Sequence, residues 1–216
     1  MIHICFDLDG TLIDSIPLMR ASWENLCSKL DLKIGWSIYK KNIGLPFDKI
    51  CENLNIVTLK EEVRELYFSF NKKNIALIEP MPGLWECIDW INLENVEWSI
   101  ITSKPRYTTY DILNKFELNP AFVITCDDTP LGKPTILPAD LLRENISDEV
   151  NKIYYIGDTI VDHIFSLNAN FKFIEFIDSR NSDYIFEDKK SGFILNNRPK
   201  IHNLKDIKNL IKMNGY

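Results

Sequence analysis

Asp7 and Asp9 stand two residues apart at the end of an apolar run, residues 2–6, and a Gly10-Thr11 turn follows them. The run reads as a buried strand. In extended chain, residues i and i+2 project to one side. The two carboxylates should therefore leave the strand end together, where open α/β sheets place their ligands. Adjacent carboxylates repel unless a cation or a shared proton lies between them. The pair predicts a divalent-metal site with a carboxylate free to react.

Three further groups of chemistry-bearing residues follow strand-like runs. Thr102-Ser103-Lys104-Pro105 closes the run 96–101, and Gly132-Lys133-Pro134 lies in a short connection before a helical pattern. The segment 152–157 leads into Asp158, and Asp162 comes one helical turn later on the same face. Each group has an ordinary reading when taken alone. Asp158 could be a helix N-cap, Thr102 a strand-end threonine, and Lys133 a surface lysine.

The elements that must position these residues are legible in the periodicity. Residues 15–80 read as helices. Pro17 suits a first turn capped by Asp14 or Ser15, and Leu18, Trp23, Leu26 and Leu30 keep helical spacing. A short helix is expected over 48–54. Another starts at Thr58, with Glu61 completing a capping box and Val63, Leu66, Tyr67 and Phe70 on its apolar face. Residues 37–42 show no clear pattern. Pro80-Met81-Pro82-Gly83 then breaks the chain.

Beyond that break, strands are expected at 96–101, 122–126, 152–156 and 171–176. Helices are expected at 84–91, 107–116, 135–144 and 161–168, with a last one within 200–213. This alternation predicts βαβ units and a parallel sheet. The helical block interrupts it directly after the first strand, as a small domain inserted over the strand ends would. The expected division is an α/β core domain from 1–14 and 81–216, with 15–80 as a helical cap domain.

Composition narrows the possibilities. The chain has 216 residues, 45% of them hydrophobic, and a net charge of −6. That acidity, with no basic stripe, speaks against nucleic-acid binding. The pairs Lys72-Lys73 and Lys189-Lys190 read as solvated faces. No apolar stretch reaches 18 residues, so no membrane span is expected. The first strand starts at residue 2, so no signal peptide is expected. Five scattered cysteines without a CxxC pair predict reduced thiols in a cytoplasmic protein. Cys5 and Cys126 read as small core residues.

The four groups, Asp7-Leu8-Asp9-Gly10-Thr11, Thr102-Ser103, Gly132-Lys133-Pro134 and Gly157-Asp158 with Asp162, occur in one order across residues 7–162. In this the sequence resembles the haloacid dehalogenase-like hydrolase superfamily. The resemblance is to its helical-cap branch, subfamily IA, which includes phosphoglycolate phosphatase-like enzymes. It implies a Rossmann-like three-layer α/β core with a parallel sheet and an inserted all-helical cap. It also implies that Asp7 is the nucleophile that becomes an aspartyl phosphate. Asp9 would be the general acid and then the base that activates water. Gly10 would make the tight turn and offer backbone N–H groups to phosphate, with Thr102 and Ser103 as further phosphate ligands. Lys133 would neutralise charge on the nucleophile and phosphate.

The implied cofactor is Mg²⁺, held by Asp7, Asp9 through its backbone carbonyl, Asp158 directly, and Asp162 as a ligand or a support behind the ligands. Lys104 is expected at solvent or at the cap interface, and His163 in a structural or exposed role. Asn168-Ala169-Asn170 stands where the family often has small residues, and is expected to change only a helix end, since Asn tolerates the left-handed conformation. The polar segment 179–197 carries no functional reading.

Asp9 also selects among the family's chemistries. A halide leaving group needs no proton, so dehalogenases lack this acid; phosphonatases replace it with a small residue. The remaining expectation is a phosphatase acting on a small phosphate monoester. Alternatives are a phosphomutase of the same family and a non-catalytic ligand-binding member. The loop Gly44-Leu45-Pro46-Phe47 lacks an arginine for a sugar phosphate, which favours the phosphatase. The identity of the monoester, and whether the chain is a monomer or a homodimer, stay open.

Overall fold

Strand β1 (Ile2–Phe6) is buried at every position and pairs in parallel with β4 (Glu97–Ile101) on one side and β6 (Lys152–Gly157) on the other. It forms the centre of a sheet in the computed structural model, which describes residues 1–178 and 198–213. The segment 179–197 lies outside the described residues. β5 (Phe122–Ile124), β7 (Lys172–Phe176) and β8 (Lys200–Ile201) complete a six-stranded sheet in the order β5-β4-β1-β6-β7-β8. All its pairings are parallel.

The chain starts in the middle, winds outward through β4 and β5, then returns to β6 and winds the other way. The strand order therefore reverses at β1, and in such sheets the crevice at that reversal, beyond the strands' carboxyl ends, takes the ligand.

Alternation along β1 sorts the core into two layers. Ile4 and Phe6 face one apolar cluster with Ile100, Trp98 and Ile156. Cys5 faces the other with Ile101, Tyr155 and Phe165. Helices α5 (Leu84–Leu93), α6 (Arg106–Lys115) and α9 (Ile207–Met213) supply the first cluster, and α7 (Leu137–Arg143) and α8 (Ile160–Asn168) the second. Strands buried on both faces read as continuous apolar runs, which is why β1 and β6 stood out in the sequence.

Along the chain, between β1 and β4, come the helices α1 (Ile16–Lys29), α2 (Trp36–Lys40), α3 (Phe47–Asn53) and α4 (Lys60–Lys73). They bury a core of their own, including Trp23, Leu26, Tyr39, Phe47, Val63 and Tyr67. A short antiparallel ribbon closes the base of this helical insert: β2 (Ile13–Asp14) pairs with β3 (Glu79–Pro80). Pro80 tolerates this place because a two-residue edge pairing has hydrogen bonds to spare. The ribbon is too short to give a periodic signal, and periodicity alone does not predict it.

Several local expectations need correction. Thr58 and Glu61 form no capping box. A 3₁₀ turn, Val57–Leu59, feeds directly into α4, whose N-cap is Leu59 with no side-chain bond. Residues 37–42 include helix α2. β5 stops at Ile124, because Thr125 turns the chain: its N–H and hydroxyl donate to Asp128 Oδ2 at 2.8 and 2.6 Å. Cys126 therefore leaves the strand and is half-buried, whereas Cys5 is a core residue as expected. α7 begins at Leu137 because Pro138 occupies its first turn. Asn170 takes φ +53° after α8, as an asparagine can at a helix end.

Candidate active site

Asp7 directly follows β1, Thr102 directly follows β4 and Asp158 directly follows β6. The parallel register sets Phe6 beside Ile100 and Ile156, so these three residues meet at the carboxyl edge of the sheet. Asp7 N donates to Ile156 O at 2.8 Å, which extends the ladder one residue into the site.

Lys133 joins them from the loop before α7. It is buried, and its Nζ donates to Asp7 Oδ1 at 2.7 Å, Asp162 Oδ1 at 2.6 Å and Tyr155 Oη at 2.9 Å. The ammonium thus spends its three donors on three named acceptors. Tyr155, two residues before Gly157 on β6, was missed in the sequence. Its neighbour Tyr154 carries the same hydroxyl, so only the alternation of the strand, which sets Tyr155 on the same side as Asp7, marks it.

Two glycines make the crowding possible. Gly10 has φ +84°, and a Cβ there would sit 2.2 Å from Asp158 Oδ2. A Cβ on Gly157 would sit 2.5 Å from Asp162 Cβ. Any larger residue at either place would push a carboxylate away. Gly10's own N–H, expected to serve phosphate, instead donates to Ile13 O at 2.8 Å. The contribution of Gly10 is the turn and the open space.

Asp7, Asp158 and Asp162 bring carboxylate oxygens within 4.8 Å of one another. Lys133 pairs with Asp7 and Asp162 only, so with all three carboxylates ionised the cluster would carry two negative charges in excess of its one ammonium. Burial raises the Asp7 pKa to about 7; Lys133 opposes the rise and Asp162 adds to it. Burial also holds Asp158 well above the ordinary carboxylate range, with Asp162 and then Asp7 reinforcing it, while a hydrogen bond from Thr11 opposes it. That bond runs from Thr11 Oγ1 to Asp158 Oδ1 at 3.1 Å. For Lys133, burial alone would lower the pKa, but Asp162 and then Asp7 outweigh it, so the side chain stays charged. An all-oxygen donor set with excess negative charge fits a hard divalent cation such as Mg²⁺.

Asp162 does more than face the cluster. Its Oδ2 accepts from Thr159 N at 3.0 Å and Thr159 Oγ1 at 2.6 Å, while its N–H donates to Thr159 Oγ1 at 3.3 Å. It therefore closes a capping box at the start of α8.

Asp9 parts from Asp7. The chain bends at Leu8, whose carbonyl accepts from Leu12 N and Ile13 N at 3.0 and 3.1 Å. The extended geometry that would align the two carboxylates ends there. Asp9 stays outside the three-carboxylate cluster, and its Oδ2 pairs with Lys104 Nζ at 3.1 Å. Lys104 is therefore buried against Asp9 rather than turned to solvent. Asp9 Oδ1 is buried with no hydrogen-bond partner among the described residues. Thr102 is buried and its Oγ1 accepts from Lys104 N at 3.1 Å, leaving its own proton to donate. Ser103 Oγ donates to Gly44 O at 2.7 Å, tying the sheet edge to the insert's loop. His163 is half-buried against the Phe173 ring, 5.1 Å between centroids, and takes no part in the cluster.

A cavity opens over Asp7 and Asp9. Its sheet side is Thr102, Ser103 and Lys104; its other side comes from the helical insert.

A family model described as haloacid dehalogenase-like hydrolase matches residues 4–176. The chain belongs to this family. It is a hydrolase whose relatives are named for phosphate chemistry. It is 26% identical over 206 residues to a protein named pyrophosphatase PpaX from Oceanobacillus iheyensis, covering 87% of this chain and 92% of the relative. It is 24% identical over 181 residues to a phosphoglycolate phosphatase from Pseudomonas fluorescens, covering 78% of this chain and 66% of the relative. Among solved structures, a hydrolase from Pseudomonas syringae matches with a TM-score of 0.78 at 20% identity, covering 98% of both chains, and shows the shared fold. No helix among the described residues is long and apolar enough to cross a membrane.

Proposed function

We propose that this haloacid dehalogenase-like hydrolase is a Mg²⁺-dependent phosphatase that hydrolyses a small phosphate monoester through an aspartyl-phosphate intermediate. The observation that carries the reading is the buried group of Asp7, Asp158 and Asp162 around Lys133, at the reversal point of the sheet.

Asp7 and Asp158 would hold the cation, with the backbone carbonyl of Asp9. Asp162 would stand behind them, since Lys133 and Thr159 already engage both its oxygens. When bound, the cation neutralises the phosphoryl charge against which Asp7 must advance. Lys133 neutralises the same charge from the other side and fixes the Asp7 carboxylate for in-line attack on phosphorus. The hydroxyl of Thr102 donates to a phosphoryl oxygen, and Ser103 supports it from beside the insert's loop. Asp9, held by Lys104, protonates the leaving oxygen. Left as a carboxylate by that transfer, it then takes a proton from the water that attacks phosphorus; the P–O bond to Asp7 breaks, inorganic phosphate leaves, Asp7 is restored as a carboxylate and Asp9 as the acid.

The division into a core (1–14 and 81–216) and a cap (15–80) follows from the same reading. The ribbon of Ile13–Asp14 with Glu79–Pro80 lies at their junction, and closure there would exclude bulk water. Five free cysteines agree with a reducing, cytoplasmic setting.

Phosphate release from a panel of monoesters, with Mg²⁺ or with EDTA, tests the assignment. Release abolished by EDTA is expected; release indifferent to EDTA would contradict the metal site.

A further inference from the structure

The insert's side of the cavity is lined by Met19, Tyr39, Ile43, Phe47, Tyr67 and Phe68, with two further aliphatic residues. Among the described residues, the insert places no lysine, arginine or histidine in this wall. Two of the insert's cations, Lys60 and Arg64, are held by Asp48 at 2.7 and 2.9 Å. Arg64 borders a neighbouring groove instead. On the sheet side, among the described residues, the one cation in the wall is Lys104, which is paired with Asp9.

The polar side chains on the insert's side of the cavity are two phenols, Tyr39 and Tyr67. Tyr39 Oη donates to Tyr67 Oη at 2.8 Å, and both rings are buried. Burial drives both phenols above the ordinary tyrosine value, so both stay neutral.

A leaving group enters this space between Asp9 and the phenols. A second negative charge would lose its water there against an insert wall that offers it no cation; burying an unpaired charge costs several kcal/mol. A hydroxyl or a short carbon chain meets no such cost, and gains from the apolar wall. We infer that the cavity selects phosphate monoesters of uncharged, largely apolar alcohols and discriminates against leaving groups that carry a carboxylate or a second phosphate. The inference rests on the phosphatase reading. It sets this chain apart from what its relatives' names, pyrophosphatase and phosphoglycolate phosphatase, say of them. It also weighs against a phosphomutase, which must hold a second phosphate in the same space.

The test compares two compounds of nearly equal size, 2-hydroxyethyl phosphate and 2-phosphoglycolate, with pyrophosphate as a third. For the wild-type protein with Mg²⁺, kcat/KM is expected to be at least about tenfold higher for 2-hydroxyethyl phosphate than for either other compound, the factor that about 1.4 kcal/mol gives. The same order of affinity is expected from calorimetry on Asp7→Asn, which cannot turn over. Ile43→Arg, which adds a cation to the wall, is expected to narrow the gap for 2-phosphoglycolate. Equal or better use of 2-phosphoglycolate or pyrophosphate by the wild type would overturn the inference, as would equal or tighter binding of either to Asp7→Asn. If no compound is hydrolysed but Asp7→Asn still prefers the uncharged ester, the phosphatase reading fails while the charge selection stands.

Discussion

Asp162 Oδ1 lies 2.6 Å from Lys133 Nζ, while the other oxygen of the same carboxylate caps helix α8. One residue thereby fixes both the orientation of the buried ammonium and the start of the helix that follows Asp158. Asp162→Ala removes the cap and leaves Lys133 with one fewer counter-charge. Loss of a partner from a buried pair costs about 3–5 kcal/mol, and the cap adds about 1 kcal/mol. Urea unfolding should show a loss in this range. A loss below about 1 kcal/mol, within the range of an exposed pair, would mean that the pair is not maintained in solution.

Metal binding and proton binding compete at Asp7. Its pKa is raised to about 7 by burial in the metal-free protein, above the unfolded value. The protonated form therefore favours folding, and that contribution is present at low pH and lost as pH rises through about 7. Mg²⁺ requires the deprotonated carboxylate. The rise in Tm on adding Mg²⁺ is expected to be larger at pH 8 than at pH 5. Equal rises at the two pH values would argue against Asp7 as a ligand.

The four motif groups could be read in the sequence because chemistry forces their residue types together: Asp7 and Asp158 at strand ends, Lys133 in the loop before α7 and Asp162 in the first turn of α8 converge. The partners that fine-tune them could not. Lys104 carries no sequence mark that separates an ion pair with Asp9 from a solvated lysine. Tyr155 is hidden in an apolar strand. Ser103 and Gly10 have the right positions, but their bonds to Gly44 and Ile13 depend on how loops close. Likewise the long periodic elements were visible, whereas the two-residue strands β2, β3 and β8 depend on tertiary pairing. A capping box at Thr58 was a sound local pattern that a 3₁₀ turn displaced; the box that does form uses Thr159 and Asp162.

Lys104 acts through Asp9. Lys104→Met removes the partner at 3.1 Å and frees the carboxylate to leave the leaving-group oxygen. A drop in kcat of about tenfold or more is expected, part of the general acid–base contribution. KM for an uncharged monoester should change by less than about threefold, since binding of the ground state is little affected. Steady-state kinetics over a pH series checks this. A pure KM effect would show that Lys104 binds substrate instead.

His3 is a test of the sheet rather than the site. It is fully buried on β1, its Nε2 is 2.8 Å from Ser99 Oγ, and burial lowers its pKa to about 4. The folded value lies below the ordinary 6.5, so the neutral ring's contribution is present above about pH 6.5 and is lost as pH falls toward 4. The shift corresponds to about 3 kcal/mol. Between pH 7 and pH 4.5, wild type should lose more stability than His3→Gln, both measured by urea unfolding with Mg²⁺ present. Parallel losses would mean that His3 is protonated in the folded protein.

The proposed reaction turns on Asp7. The most direct measurement is Mg²⁺-dependent phosphate release from a panel of small monoesters by wild type and Asp7→Asn, with the variant's folding checked by circular dichroism. Release by the wild type that vanishes in a folded Asp7→Asn is the predicted result. Turnover that survives the substitution would contradict an aspartyl-phosphate mechanism at this residue.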